Sequence, residues 1–208
     1  MKSDTFRVAL PKGRMSEESL AYLYKHKLVS MESFPNSRKL IFSDPETNYE
    51  FLLVRSKDVG TYVEQGSCDA GIIGYDLLAE HDFDVLIPGD LPFGHCKLCV
   101  AYPENGESWK NKRNIKVASK YPKLTSKFFF EKGYHARIIE LYGSIEIAPL
   151  TGLSDVIVDL VSTGQTLKEN KLLQGETILE SHARLIVNRT SNAFKNKQIN
   201  ELLDILNF

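Results

Sequence analysis

Residues 155–167, Asp-Val-Ile-Val-Asp-Leu-Val-Ser-Thr-Gly-Gln-Thr-Leu, constrain the fold more than any other stretch. An apolar, β-branched run from Val156 to Val161, broken only by Asp159, has the length and composition of a buried parallel strand, and so of an α/β protein. The chain then turns polar within one residue, to Ser162, Thr163, Gly164, Gln165 and Thr166. Three hydroxyls and a glycine offer O–H groups and a ring of backbone N–H groups, and a following helix start would add its unpaired N–H groups and dipole. Such a strand–loop–helix junction suits a phosphate. Asp159 just before it suits the vicinal hydroxyls of a ribose. The same composition also describes an ordinary polar turn, and both readings stand at this point.

The length, 208 residues, allows one large domain or two small lobes. Lys plus Arg (26) nearly balance Asp plus Glu (27), so no basic field points to nucleic acid. No apolar run approaches the roughly 18 residues of a membrane span, and no signal-peptide core precedes the first strand. Three cysteines are an odd count and give no disulfide framework. The expectation is a cytoplasmic protein.

Along the chain, a strand over residues 6–10 leads into Pro11-Lys12-Gly13-Arg14, a basic, glycine-containing turn suited to an anion. Ser16 is expected to start a helix with Leu20, Leu23, Tyr24 and Leu28 on its apolar face. Strands are expected over residues 38–43 and 49–55, with Arg55 at the C-terminal end of its strand, where ligands gather in open α/β sheets. Asp58 can cap the next helix, and Asp69, Gly71 and Gly74 surround a short strand where glycine permits close approach of a ligand or a neighbouring element. Leu91-Pro92-Phe93-Gly94 reads as a crossing into a second lobe. That lobe holds strands over residues 97–101, 115–118, 136–142 and 156–161, a polar surface loop over residues 105–114, and a helix whose Phe128, Phe129 and Phe130 pack the core. Ser191 is expected to cap a final helix with Phe194, Leu202, Leu203 and Leu206 inward. The expected lobes are residues 1–92 with 189–208, and residues 93–188, the second carrying the phosphate loop.

A metal or redox reading of His95, Cys96 and Cys99 fails, because residues three apart in a strand point to opposite faces and no further ligands lie at close spacing. No histidine is placed as a base, and no Gly-x-Ser-x-Gly or Walker lysine pattern occurs. Lys12, Arg14, Arg38, Arg55 and residues 162–166 remain, together suggesting a substrate with several phosphates in a cleft between two lobes.

The residues also carry a family resemblance. Glu146, Gly152, Ser154, Ile157, Asp159, Leu160, Thr163, Gly164, Thr166 and Leu167, with Leu10-Pro11-Lys12-Gly13-Arg14, Val54-Arg55, Asp58-Val59, Asp69, Gly71, Gly74 and Val117-Ala118-Ser119-Lys120-Tyr121-Pro122, resemble the short form of ATP phosphoribosyltransferase. That family performs the first step of histidine biosynthesis. The resemblance implies two α/β lobes built like periplasmic binding proteins, the type IV phosphoribosyltransferase class. It implies a reaction in which N1 of ATP displaces pyrophosphate from phosphoribosyl pyrophosphate, with Mg²⁺ on the pyrophosphate and no metal held by the protein itself. By analogy, residues 162–166 would hold the 5-phosphate and Asp155 or Asp159 the ribose hydroxyls. Arg38 and Arg55 would be catalytic, and Lys12, Gly13, Arg14, Asp69, Gly71 and Lys97 would bind substrate. A separate regulatory subunit, similar to histidyl-tRNA synthetase, is implied as partner in a hetero-oligomer. Gly60 stands where the family usually has proline. Two alternatives stay open: a two-lobed sensor of a phosphorylated metabolite, and a purine-salvage phosphoribosyltransferase, whose paired acids before the loop are here reduced to Val158-Asp159.

Overall fold

The first apolar run forms β1 (Phe6–Pro11), which pairs in parallel with β3 (Tyr49–Val54) on one side and β4 (Ala70–Gly74) on the other. The structure, a computed structural model, describes residues 5–30, 39–104 and 107–208. Around that parallel block lie β2 (Ile41–Ser43), β11 (Ala183–Val187) and β5 (Leu86–Asp90), in the order β2-β3-β1-β4-β11-β5, with β11 antiparallel to both neighbours. A second sheet has the order β10-β6-β9-β7-β8, from β6 (Cys96–Pro103), β7 (Asn114–Ser119), β8 (His135–Glu140), β9 (Val156–Val161) and β10 (Leu172–Ser181). Here β7 is the parallel centre between β8 and β9, and β6 runs antiparallel to β9 and β10.

The two sheets follow one plan. The chain leaves β1 through α1 (Arg14–Lys25) toward β3 on one side, then returns through α2 (Val59–Glu64) to β4 on the other. In the second sheet it leaves β7 through α4 (Pro122–Glu131) for β8, then returns past a 3₁₀ turn (Ile145–Ile147) to β9. Each sheet therefore has a topological switch point, between β1 and β4 and between β7 and β9. The C-terminal strand ends at such a point are where α/β sheets bind ligands.

The chain divides into two compact units, Met1–Gly94 with His182–Phe208, and His95–Ser181. The return to the first unit comes at His182, several residues before the expected boundary at residue 188. The reason is that β11 fills the place between β4 and β5. In the first unit, Phe6, Val8 and Leu10 pack one face of the sheet against Leu20 and Leu23 of α1 and Leu202 and Leu206 of α7 (Asn196–Leu206). Ala9, pointing the other way by strand alternation, meets Val59 and Val63 of α2. Burying each such Leu or Val stabilises the fold by roughly 1.5–3 kcal/mol. The second unit packs Cys99, Ala118, Ile157 and Val161 against Ile145, Ala148 and Leu167.

Several local expectations change. Helix α1 starts at Arg14 because Gly13, at φ +90°, turns the chain there; Ser16 lies inside the first turn and Tyr24 faces solvent. Asp58 occupies the position before α2 without a side-chain capping bond. The loop expected over residues 105–114 contains a 3₁₀ turn (Glu107–Asn111) whose Trp109 is buried between Tyr102, Phe129 and Tyr134. Of the three phenylalanines in α4, Phe129 is core but Phe130 is 82% exposed. The final helix is two, α6 (Arg189–Phe194) and α7, and its cap is Asn188, whose side chain accepts from the Ser191 N–H; Phe194 is 86% exposed. Gly60 has a packing reason: a Cβ there would strike the Phe83 ring.

Candidate functional site

At the C-terminal edge of the first sheet, β1 and β3 end side by side at Pro11 and Val54. The Lys12 N–H continues the ladder to the Val54 carbonyl at 2.8 Å, so Lys12 and Arg55 leave adjacent strands together, both exposed. Neither charge has an ion-pair partner among the described residues. Gly13 then opens α1, a helix of 12 residues, with Arg14 in its first turn and 3.4 Å from Glu18. Two cations, a glycine turn and a helix N-terminus at these C-terminal strand ends form a surface suited to an anion with several charges. Arg38 lies outside the described residues.

The corresponding edge of the second sheet has a different chemistry. β9 ends at Val161; of residues 162–166, expected as a loop, 162–164 link strand to helix, while Gln165 and Thr166 already belong to the helix that follows. Gly164, at φ +76°, turns the chain into α5 (Gln165–Glu169), a position any side chain would strain. The Thr163 hydroxyl accepts from the Gln165 N–H at 3.4 Å, and Gln165 donates to Glu169 at 2.7 Å. Helix α5 has only 5 residues, so the loop's own N–H and O–H groups carry most of any anion binding. Lys97 stands beside Val161 in the β6–β9 register and pairs with Glu180 at 2.9 Å. Hydrogen bonding and charge within that exposed pair raise the Lys97 pKa and lower that of Glu180.

Asp159 lies two residues before the end of β9, half-buried, and accepts the Leu160 N–H at 2.9 Å. Burial raises its pKa above the ordinary value; Lys120 and the Leu160 N–H pull it back, and Glu146 adds a push upward. Lys120 and Glu146 were not singled out as site residues from the sequence. Lys120 follows the last residue of β7, and Glu146 sits in the turn between β8 and β9, so only the tertiary register brings them to Asp159.

Three residues expected at the site sit elsewhere and serve the fold. Asp69 precedes β4, at the N-terminal edge, where it accepts from the Arg7 N–H (2.9 Å), the Ser191 hydroxyl (2.7 Å) and the Lys195 ammonium (2.7 Å). Its buried carboxylate ties α6 and α7 to the sheet, with three internal donors on its two oxygens. Gly71 is needed for packing, since a Cβ would come 2.8 Å from Val63 and 3.0 Å from Val59. Asp155 precedes β9, roughly 20 Å of strand away from residue 162. It accepts from the Lys112 ammonium at 2.6 Å and the Lys116 N–H at 2.8 Å. Burial alone would raise the Asp155 pKa, but Lys112 and the Lys116 N–H outweigh it and the net shift is down. An open groove lined by Lys116, Phe130, His135 and Arg137 lies at the same N-terminal edge of β7 and β8, away from Asp159 and the loop. No group of three or more His, Cys, Asp or Glu among the described residues could hold a metal, and no helix among them is long and apolar enough to cross a membrane.

A family model described as ATP phosphoribosyltransferase matches residues 55–207. The chain is 48% identical to the ATP phosphoribosyltransferase of Geobacter metallireducens over 208 residues, 97% of both chains. Among solved structures, it is similar to a chain of the ATP phosphoribosyl transferase (HisG:HisZ) complex from Thermotoga maritima, with a TM-score of 0.82, 32% identity, and coverage of 98% of this chain and 97% of that one. The alkanesulfonate-binding protein SsuA of Xanthomonas axonopodis shares the fold, with a TM-score of 0.62 at 13% identity, over 100% of this chain and 73% of that one.

Proposed function

The chain belongs to the ATP phosphoribosyltransferase family, and from that premise we propose how its residues transfer phosphoribosyl from phosphoribosyl pyrophosphate to N1 of ATP in histidine biosynthesis. Residues 162–166 hold the 5-phosphate, with the backbone turned at Gly164 and the Ser162, Thr163 and Thr166 hydroxyls as donors. Asp159 accepts from the ribose hydroxyls. Lys97 adds positive charge beside the loop. Lys12, Arg14, Arg55 and the N–H groups following Gly13 meet the pyrophosphate and the ATP phosphates, with Arg38 in the same role. The observation that carries this reading is the meeting of Asp159 and the hydroxyl-rich loop at the C-terminal end of β9, a switch-point strand.

The chemistry explains why no general base is needed. The adenine N1 attacks through its lone pair and has no proton to lose before the bond forms. The barrier lies in parting an oxocarbenium-like ribosyl cation from a highly charged pyrophosphate. Fixed cations at the leaving group stabilise that separation more than they stabilise the ground state. The first edge presents cations suited to pyrophosphate oxygens, and the metal is proposed to arrive on the substrate itself. When bound, Mg²⁺ would neutralise part of the pyrophosphate charge.

A separate regulatory subunit is the proposed partner, supported by the two-component complex of the Thermotoga maritima relative; its likeness to histidyl-tRNA synthetase is what the family resemblance implies. Mixing the protein with ATP, Mg²⁺ and phosphoribosyl pyrophosphate, with and without such a partner, tests the reading through the absorbance change on phosphoribosyl-ATP formation. Product in either mixture is expected. Silence in both, with phosphoribosyl pyrophosphate still bound, would favour a non-catalytic sensor.

A further inference from the structure

We propose that Lys120 is the positioning residue of the ribose subsite: it faces Asp159 across the switch point and keeps that carboxylate ionised, able to accept from two hydroxyls at once. The inference rests on the ribose reading of Asp159 given above.

The register supplies the geometry. β7 and β9 pair in parallel with Ala118 opposite Ile157 and Ser119 opposite Val158. One more step brings Lys120 level with Asp159. Alternation sends Asp159 toward the face that carries Ala118, Ile157 and Val161, and Lys120 leaves β7 at the same end of the sheet. Ser119 fixes that step: its fully buried hydroxyl donates to the Val158 carbonyl at 2.8 Å and accepts from the Tyr121 N–H at 3.0 Å. The residue between those anchors is Lys120, so its backbone is held on both sides while its side chain stays exposed.

Burial and the Glu146 carboxylate both raise the Asp159 pKa, and a nearby cation opposes them. From β6, its Cα partner is the uncharged Cys99, and the next cation on that strand, Lys97, is paired with Glu180. From the turn between β8 and β9, Glu146 adds a second negative charge that favours protonation of Asp159. α5 contributes the apolar Leu167. Among the described residues the backbone donor to Asp159 is the Leu160 N–H. Lys120 on β7 is the cation that offsets burial and Glu146. A protonated Asp159 would become a donor on one oxygen and lose half of its accepting capacity toward a vicinal diol.

The test follows kcat/KM for phosphoribosyl pyrophosphate from about pH 5.5 to about pH 9 in wild type, Lys120→Met, Lys120→Arg and Asp159→Asn, since that profile reports ionisations of the free enzyme. Substrate ionisation is common to all four and cancels in the comparison. Lys120→Met is expected to shift the acid limb to higher pH, with a loss at the acid end of the range that is regained toward pH 9. Lys120→Arg should follow wild type. A Lys120→Met loss of equal size at every pH, or no loss at any pH, overturns the proposal. Asp159→Asn separates the two layers: an unchanged KM for phosphoribosyl pyrophosphate removes the ribose reading itself. A raised KM beside a flat Lys120→Met profile removes only the role of Lys120.

Discussion

The C-terminal edges of the two sheets share a topology and differ in charge. The first, at β1 and β3, presents Lys12, Arg55 and Arg14, the last paired with Glu18. The second, at β7 and β9, keeps a half-buried carboxylate beside a loop of hydroxyls. Meanwhile each sheet has an acid at its opposite edge, Asp69 before β4 and Asp155 before β9, and both are taken up by donors within the protein. The number of internal donors distinguishes the two kinds of acid. A carboxylate with a salt bridge and further hydrogen bonds holds elements together, whereas one with a single backbone donor retains lone pairs for a ligand.

This contrast can be broken experimentally, most severely at the cationic edge. Arg55→Ala is expected to lower kcat by about 10²-fold or more, the scale for one lost charge-stabilising donor. Wild-type turnover with any required partner present would mean that this edge does not meet the leaving group. Next in size, Asp69→Ala should leave the kinetics of the folded enzyme unchanged while lowering stability by about 3 kcal/mol, as removing one member of a buried pair does. A denaturant titration that shows full stability with a raised KM would return Asp69 to the substrate. At the hydroxyl edge, Thr163→Val should raise KM for phosphoribosyl pyrophosphate by about tenfold with a smaller change in kcat, the scale of one lost charge-assisted hydrogen bond. An unaltered KM would leave the loop without a phosphate.

The smallest effect concerns stability and pH. The pKa of Asp159 is raised in the folded state, so its ionised form is penalised there relative to the unfolded chain. That penalty is present at pH values above the folded pKa and disappears as pH falls below the ordinary carboxylate value. Asp159→Asn keeps an oxygen for the Leu160 N–H and removes the charge. It should raise Tm by roughly 2 °C near pH 8, a gain that shrinks toward pH 4. A Tm gain equal at both pH values would show that charge is not its source.

How much of this was legible in the sequence follows from the distance over which each interaction acts. The strand over Val156–Val161 and its polar loop were readable because composition changes sharply between adjacent residues. The basic turn after β1 was readable for the same reason, although the positive φ of Gly13 moved the helix start. Asp69 and Gly71 looked like ligand residues because a short strand flanked by glycines fits either role; the donors that claim Asp69 come from Arg7, Ser191 and Lys195, far away in the chain. The resemblance allows either Asp155 or Asp159 at the ribose, but Asp155 lies before the start of β9 and Asp159 near its end. Lys120 belongs to a stretch that carries the family resemblance, but a lysine after a strand has no role of its own until the pairing of β7 with β9 brings it near Asp159. The early return to the first unit was hidden because β11 has the same apolar pattern in either sheet.

The placement of β11 has a consequence for how the chain folds. His95–Ser181 is one continuous segment, so its sheet can form from contacts within itself as soon as it has been synthesised. The other sheet must wait, because β4 and β5 gain their shared neighbour only when Ala183–Val187 arrives, and the Ala183 N–H then reaches back to the Phe93 carbonyl at 2.9 Å. Until that point β4 presents an open edge, and the loop to be closed spans nearly half the chain. Closure at such separation is slow relative to local pairing, and unpaired strand edges invite association. The middle of the polypeptide is therefore expected to acquire protection from hydrogen exchange before either of its ends.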